Sequence, residues 1–179
     1  MIYIHVPKKE IWNEEKEEFV YINEQTLAME HSLLSISKWE EKHKKVFLSE
    51  DKKTTEEYID YYKCMCINKV QDEVFTALSP KDYKRINDYI ADPMIPFKLK
   101  EPKQKEGASK KGGDPMAAIM IYYYMAVAQI PFSCEKWHIN KLLALLKIYG
   151  IKNSTPEKMS GSARHALNKQ RRAALNSKG

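Results

Sequence analysis

Positions 116–129 contain no charged residue. The run starts after Asp114-Pro115, stops before Pro131, and is written largely in methionine, alanine, isoleucine and tyrosine. Roughly fourteen residues are too few to cross a bilayer as a helix, which takes about twenty. Such a run must be covered by protein, and its composition predicts a buried core helix. A second apolar helix is expected over 133–149, with Ser133 as its cap and Gly150 as its stop. Ile139, Leu142, Leu143, Leu146 and Tyr149 form one stripe of it, while Trp137, Ala144 and Ile148 gather nearly opposite, at about 100° per residue. A helix apolar on two sides is sandwiched in a core or buries one side against a partner. Sandwiching is the expectation, and Trp137, Ala144 and Ile148 are the partner-binding side if there is one.

The rest of the chain supplies less hydrophobic helices and a small amount of β-structure. Ile2–Val6 and residues 19–22 are β-rich runs around an acidic stretch, which predicts a short N-terminal hairpin or two edge strands. Helix one is expected near 26–44, with Met29, Leu33, Ile36, Trp39 and His43 on one stripe. Thr54 with Glu57 three residues later is a capping box for helix two, which carries Tyr58, Tyr61, Tyr62 and Met65. Ser79-Pro80 opens a third helix that closes at Asp92-Pro93. Ser160 caps a last, alanine- and arginine-rich helix through about Asn176. The fold class is therefore mainly α, a small helical domain with a short N-terminal β-hairpin. Its parts are 1–25 (hairpin), 26–96 (helical), 97–114 (basic linker), 115–150 (apolar helical hairpin) and 151–179 (basic tail or helix).

Charge is unevenly placed. Lys98–Lys111 holds six lysines against Glu101 and Glu106, and Lys152–Gly179 seven basic residues against Glu157. With a formal net charge of +6, the remainder is net negative, so overall basicity says little about the folded surface. Lys169, Arg171 and Arg172 form the best cluster for phosphate or for an acidic protein surface. Near Tyr58–Tyr62 the neighbours are Glu56, Glu57 and Asp60, which disfavours a nucleic-acid stacking platform there.

Chemistry is sparse. Cys64, Cys66, Cys134 and His138 can be written as a zinc set, but inside a regular helix residues two apart point about 200° away from each other. They read as small buried thiols and a hydrogen-bonded histidine. An odd count of three cysteines fits a reducing compartment. Glu14, Glu15, Glu17 and Glu18 are a solvated turn. No catalytic residue, cofactor site or metal site is expected, and Met1–Pro7 reads as a strand, not a leader.

Two segments nearly repeat each other: Ser35-Ile-Ser-Lys-Trp39 and Ser133-Cys-Glu-Lys-Trp137. With their surroundings, Met29 to Glu40, Asp60 to Met65, Ile130 to Leu143, Ile151 to Asn153 and Leu167 to Arg172, the chain resembles the bacteriophage tail assembly chaperones. Cys66 and the lysine-rich 98–111 stretch depart from that pattern. The resemblance implies a non-catalytic viral helper in the cytoplasm of the infected bacterial host. Its partners would be the tape-measure protein and the tail tube protein, with neither a membrane nor nucleic acid involved and an oligomer left open. Alternatives are a virion structural protein of the tail or head–tail connector, or a nucleic-acid-binding accessory protein using the basic tail.

Overall fold

A computed structural model describes residues 1–13, 17–97, 116–153 and 161–176. The lysine-rich 98–111 stretch and the expected Ser160 cap lie outside them. The fold is mainly α with an N-terminal hairpin. Met1–Tyr149 forms one unit and Gly150–Gly179 a second.

The hairpin is longer than its sequence suggests. β1 (Ile2–Val6) pairs antiparallel with β4 (Gln25–Met29), and β2 (Lys9–Asn13) with β3 (Glu18–Ile22). Val6 faces Gln25 and, three residues on, Lys9 faces Ile22. One register therefore runs through both ladders, as two halves of one hairpin broken at Pro7, which has no N–H to donate. The break also switches the buried side. In the inner half Ile4, Val6, Leu27 and Met29 are buried. In the outer half Ile22 is buried and Ile11 and Val20 are half-buried, a shift of one position on each strand. Unbroken alternation would have kept the same parity throughout.

Residues 25–29 thus belong to a strand, not to helix one. α1 (Leu33–His43) starts at Ser32, whose hydroxyl accepts from Ser35 N–H at 3.2 Å. Met29 happens to continue the helical spacing of Leu33, Ile36 and Trp39, but with Leu27 it also keeps a period of two, and pairing with Ile2 and Ile4 decides between them. α2 (Thr55–Met65) has the expected capping box at Thr54 and Glu57. Tyr61, Tyr62 and Met65 are buried, whereas Tyr58 is exposed. A 3₁₀ helix (Asp72–Ala77) packs against α2 and β3. α3 (Pro80–Ala91) starts at Ser79-Pro80 as expected.

Trp39 is fully buried and anchors α1 on α2. Its indole N–H donates to Glu57 O at 2.8 Å, His43 stacks on it at 4.5 Å, and Phe47 meets it edge-on at 5.1 Å. A buried indole needs such an acceptor.

α4 (Ala118–Val127) packs on α1 and on a second 3₁₀ helix (Phe132–Lys136). The structure corrects the expected apolar hairpin here in two ways. Ser133 does not cap a helix: Pro131 leads into the 3₁₀ helix instead, and α5 (Ile139–Asn153) begins after Trp137 and runs past Gly150. A chain hydrogen bond from Ile139 N–H to His31 O, 2.7 Å, fixes that late start. Moreover, α4 and α5 are not a closely packed pair. α6 (Gly161–Asn176) lies in the second unit.

α4 is positioned from outside itself. Ala117, at its N-cap, has no side chain to offer the first turn. Glu40 of α1 does this remotely: one carboxylate oxygen accepts Ala118 N–H and the other Phe47 N–H, both at 2.9 Å. A carboxylate there satisfies an otherwise unpaired donor and complements the helix dipole. Glu40→Gln is expected to cost about 1 kcal/mol, a cap-sized loss, read as a lower urea midpoint with an unchanged slope. Amide exchange should quicken first in α4.

Candidate protein-docking surface

α4 is apolar around its whole circumference, and among the described residues one side of it is buried. Ala118, Ile121 and Met125 are buried against α1 and Tyr122 is half-buried. The other side bears Ile119 (71% exposed), Tyr123 (59%), Tyr124 and Val127, continued by Met116 before the helix and Phe132 after it. At 100° per residue, positions 119, 123, 124 and 127 fall on one side of α4, with spacings of three and four. Scattered single apolar residues on a surface are ordinary, whereas a contiguous uncharged helical face of this kind marks an interaction site. Position 129 ends the helix in a left-handed turn (Gln129 φ 54°), and Ile130 N–H closes onto Met125 O at 2.8 Å. Tyr122 donates its hydroxyl to Glu135 at 2.7 Å and meets Phe132 at 6.1 Å, which ties the 3₁₀ helix to the covered side.

Beside the amino-terminal end of this face lies a hollow of about 310 Å³, lined by Ser37, Glu40, Glu41, Ala118, Ile119 and Tyr122. Burial, the hydrogen bond to Glu135 and the negative charges of Glu135 and Glu41 hold the Tyr122 hydroxyl well above the ordinary phenol range. No described cation forms a salt bridge with Glu40, Glu41 or Glu135.

The sequence-expected partner residues are covered to different extents. Trp137 lies before α5, as the C-cap of the 3₁₀ helix, with its N–H on Cys134 O at 3.0 Å and Lys141 over its ring at 4.5 Å. It is 39% exposed, while Ala144 is buried and Ile148 half-buried. Helical counting extends the helix back through Trp137, whereas α5 begins at Ile139 and Trp137 is extended. Lys169, Arg171 and Arg172 are exposed on α6, where His165, Asn168, Lys169 and Arg172 line one hollow at i, i+3, i+4 and i+7 spacing. Arg171 lies off that line.

Sequence reasoning missed Ile119, Tyr123, Val127 and Phe132. It also missed Trp12, Phe19 and Tyr21, exposed on the outer half of the hairpin, where Trp12 opposes Phe19 at 4.9 Å and Lys8 lies 5.6 Å from the Tyr21 ring. The switch of buried side at Pro7 turns these aromatics outward. Their only signal in the sequence was alternation on both sides of a proline.

The repeated Ser-x-x-Lys-Trp text has a spatial meaning after all. Lys38 and Lys136, one from each copy, line a single cavity of about 360 Å³ with Leu34, Cys64, Met65, Cys66 and Ile67. The two tryptophans diverge, one buried in α1 and one half out. Cys66 is in extended conformation beyond the end of α2, so the regular-helix argument against Cys64 and Cys66 sharing one side does not apply. Burial pushes both thiols up, Cys66 to about 11. That keeps them protonated and weak as nucleophiles or ligands at neutral pH. Among the described residues no group of three or more His, Cys, Asp or Glu could hold a metal, and no helix is long and apolar enough to cross a membrane.

Next to this cavity the core holds a polar chain. His31 Nδ1 hydrogen-bonds the Tyr61 hydroxyl, its ring meets His138 edge-on at 4.9 Å, and His138 Nε2 donates to Tyr89 O at 3.0 Å. Burial and the neighbouring His138 lower His31 to about 3. Burial also lowers His138, against the opposing hydrogen bond to Tyr89 O and the charges of Glu30 and Asp92. The residues bind protons more readily in the unfolded chain, so their contribution to stability is complete above about pH 6.5 and falls as pH drops toward 3. Between pH 7.5 and 5 the His31 share of that loss should be about 2 kcal/mol. His31→Phe should flatten the pH dependence of the urea midpoint over this interval by that amount, whatever it does to stability at pH 7.5.

Compared with protein-family models, curated proteins and solved structures, the chain finds no match.

Proposed function

We propose that this chain is a non-catalytic bacteriophage tail assembly chaperone that holds apolar helical segments of the tape-measure protein in the host cytoplasm during tail assembly. The observation that supports this reading best is the uncovered, uncharged face of α4. A long coiled-coil-forming client exposes apolar seams at spacings of three and four before its own partners are in place. A rigid helix with the same spacing covers such a seam by helix-on-helix packing, with tyrosine and methionine adapting to an irregular surface. The sequence resemblance points the same way. The tail tube protein is a further partner on this reading.

Co-expression of the chain with a tape-measure fragment tests it. The wild-type chain should bring the fragment into the soluble fraction and co-purify with it. Ile119→Asp combined with Tyr123→Asp, on an exposed face, should abolish co-purification while leaving the circular dichroism spectrum and urea midpoint within about 0.5 kcal/mol. Recovery of the chain from purified mature virions would favour the structural-protein alternative.

The basic line on α6 favours one second reading, phosphate contact by a nucleic-acid-binding accessory protein. On that reading Lys169→Ala with Arg172→Ala weakens binding to duplex DNA at low salt and lowers the dependence of log K on log salt by about 2. Absence of any low-salt DNA binding by the full chain removes it.

A further inference from the structure

The uncovered face of α4 is not electrically neutral along its length. Its amino-terminal end borders the hollow that contains Glu40 and Glu41, and Glu135 reaches the same region through the Tyr122 hydroxyl. The three carboxylates differ in what already satisfies them. Glu40 accepts two backbone N–H groups and faces the positive end of the α4 dipole. Glu135 accepts one hydroxyl, and Glu41 is exposed. Of the cations at the end of α1 and in the turn after it, Lys42 pairs with Asp60 at 2.6 Å and Lys45 with Glu57 at 2.5 Å, which leaves Lys44, the exposed C-cap of α1, as one positive charge against the three carboxylates. Lys136 and Lys38 line the other cavity, and Lys141 sits over Trp137. Within α4 itself there is no charge of either sign. An apolar groove of this kind binds many apolar helices alike, and a net negative charge confined to one end supplies direction.

From this juxtaposition we infer that the α4 face docks an amphipathic helix of a partner protein, apolar at spacings of three and four, whose lysine- or arginine-bearing end lies over Ile119, beside Glu41 and Glu135. The inference rests on the helix-holding role proposed above and adds the chemistry and polarity of the segment held. The apolar side of α4 from Ile119 to Val127 supplies the contact. The carboxylates select the end of the partner that meets the amino-terminal end of α4, and they disfavour a partner whose acidic end would fall there.

Three labelled three-heptad helical peptides test this with the full chain, by fluorescence anisotropy. All carry leucine along one seam; one ends in lysines, one in glutamates and one in glutamines. The lysine-ended peptide should bind about ten-fold more tightly than the glutamate-ended one at low salt. That advantage should shrink toward parity at roughly 0.5 M salt. Glu41→Lys, at an exposed position, should reverse the order of the two charged peptides without changing the circular dichroism spectrum. Equal binding of all three, or an unchanged order in Glu41→Lys, overturns the charge-directed polarity. Ile119→Ser with Tyr123→Ser should lose all three peptides, and retention of binding in that variant instead sinks the helix-holding role itself. Sedimentation that shows a dimer broken by the same double variant seats a second copy of this chain on the face and overturns the partner assignment.

Discussion

Residues Glu30, His31 and Ser32 form the junction on which the first unit depends. Between them they are tied to α1, α2 and the start of α5. Glu30 N–H donates to Met65 O at the end of α2 (2.9 Å), and Glu30 O accepts the Ser35 hydroxyl inside α1 (2.8 Å). His31 O accepts Ile139 N–H at the start of α5 (2.7 Å), and Ser32 caps α1 while bridging to His138. Just before them, Ala28 O accepts Ile67 N–H and Ala28 N–H donates to the Asn68 side chain, so the hairpin is anchored at the same place. A buried backbone must find partners for its donors and acceptors. Here that requirement is met by drawing hairpin, α1, α2 and α5 to one point. The neutral His31–Tyr61–His138 chain fits because histidine and tyrosine can serve the remaining polar groups without a buried charge.

This junction explains what could and could not be read from the sequence. Local chemistry was legible: Thr54 with Glu57, and Ser79 with Pro80, declare helix starts through contacts within four residues. Trp39 was legible as core because its own helix supplies the stripe. The start of α1 was not, because Met29 satisfies a period of two and a period of three to four equally well, and pairing across to Ile2 makes the choice. The start of α5 was lost for a similar reason. Ser133 looks like a cap, but Pro131 sets up a 3₁₀ turn and the hydrogen bond from Ile139 to His31, more than a hundred residues away in sequence, delays the helix. Trp137 consequently lies outside the helix that counting extends to it.

The open face of α4 was illegible in a deeper sense. An amphipathic helix announces which side it buries, while a helix apolar all round announces only that it dislikes water. Ile119 and Ile121 are chemically the same residue, yet one is exposed and the other buried, and only the position of α1 separates them. Glu40 sharpens that choice by gripping Ala118 N–H from α1 and thereby fixing the rotation of the first turn of α4. The same contact that builds the fold thus decides which apolar residues stay uncovered. The outer hairpin follows a parallel logic, with Pro7 in place of Glu40 and Trp12, Phe19 and Tyr21 as the residues turned out.

A face of several hundred Å² is worth on the order of 10 kcal/mol of gross apolar burial. Association consumes a comparable amount in lost translational, rotational and side-chain freedom. The apolar seam alone therefore supports reversible, weakly selective holding. That suits a helix face written in tyrosine, isoleucine and valine without a charged residue. Selectivity has to come from the rim, where exposed charges add little affinity but bias encounter and orientation. Glu41 sits at that rim with no described ion pair, while Lys42 and Lys45 beside it are drawn to α2. The division of labour follows from the positions: Lys42 and Lys45 tie this end of α1 to α2 and Glu40 ties it to α4, while Glu41 stays exposed at the rim of the α4 face.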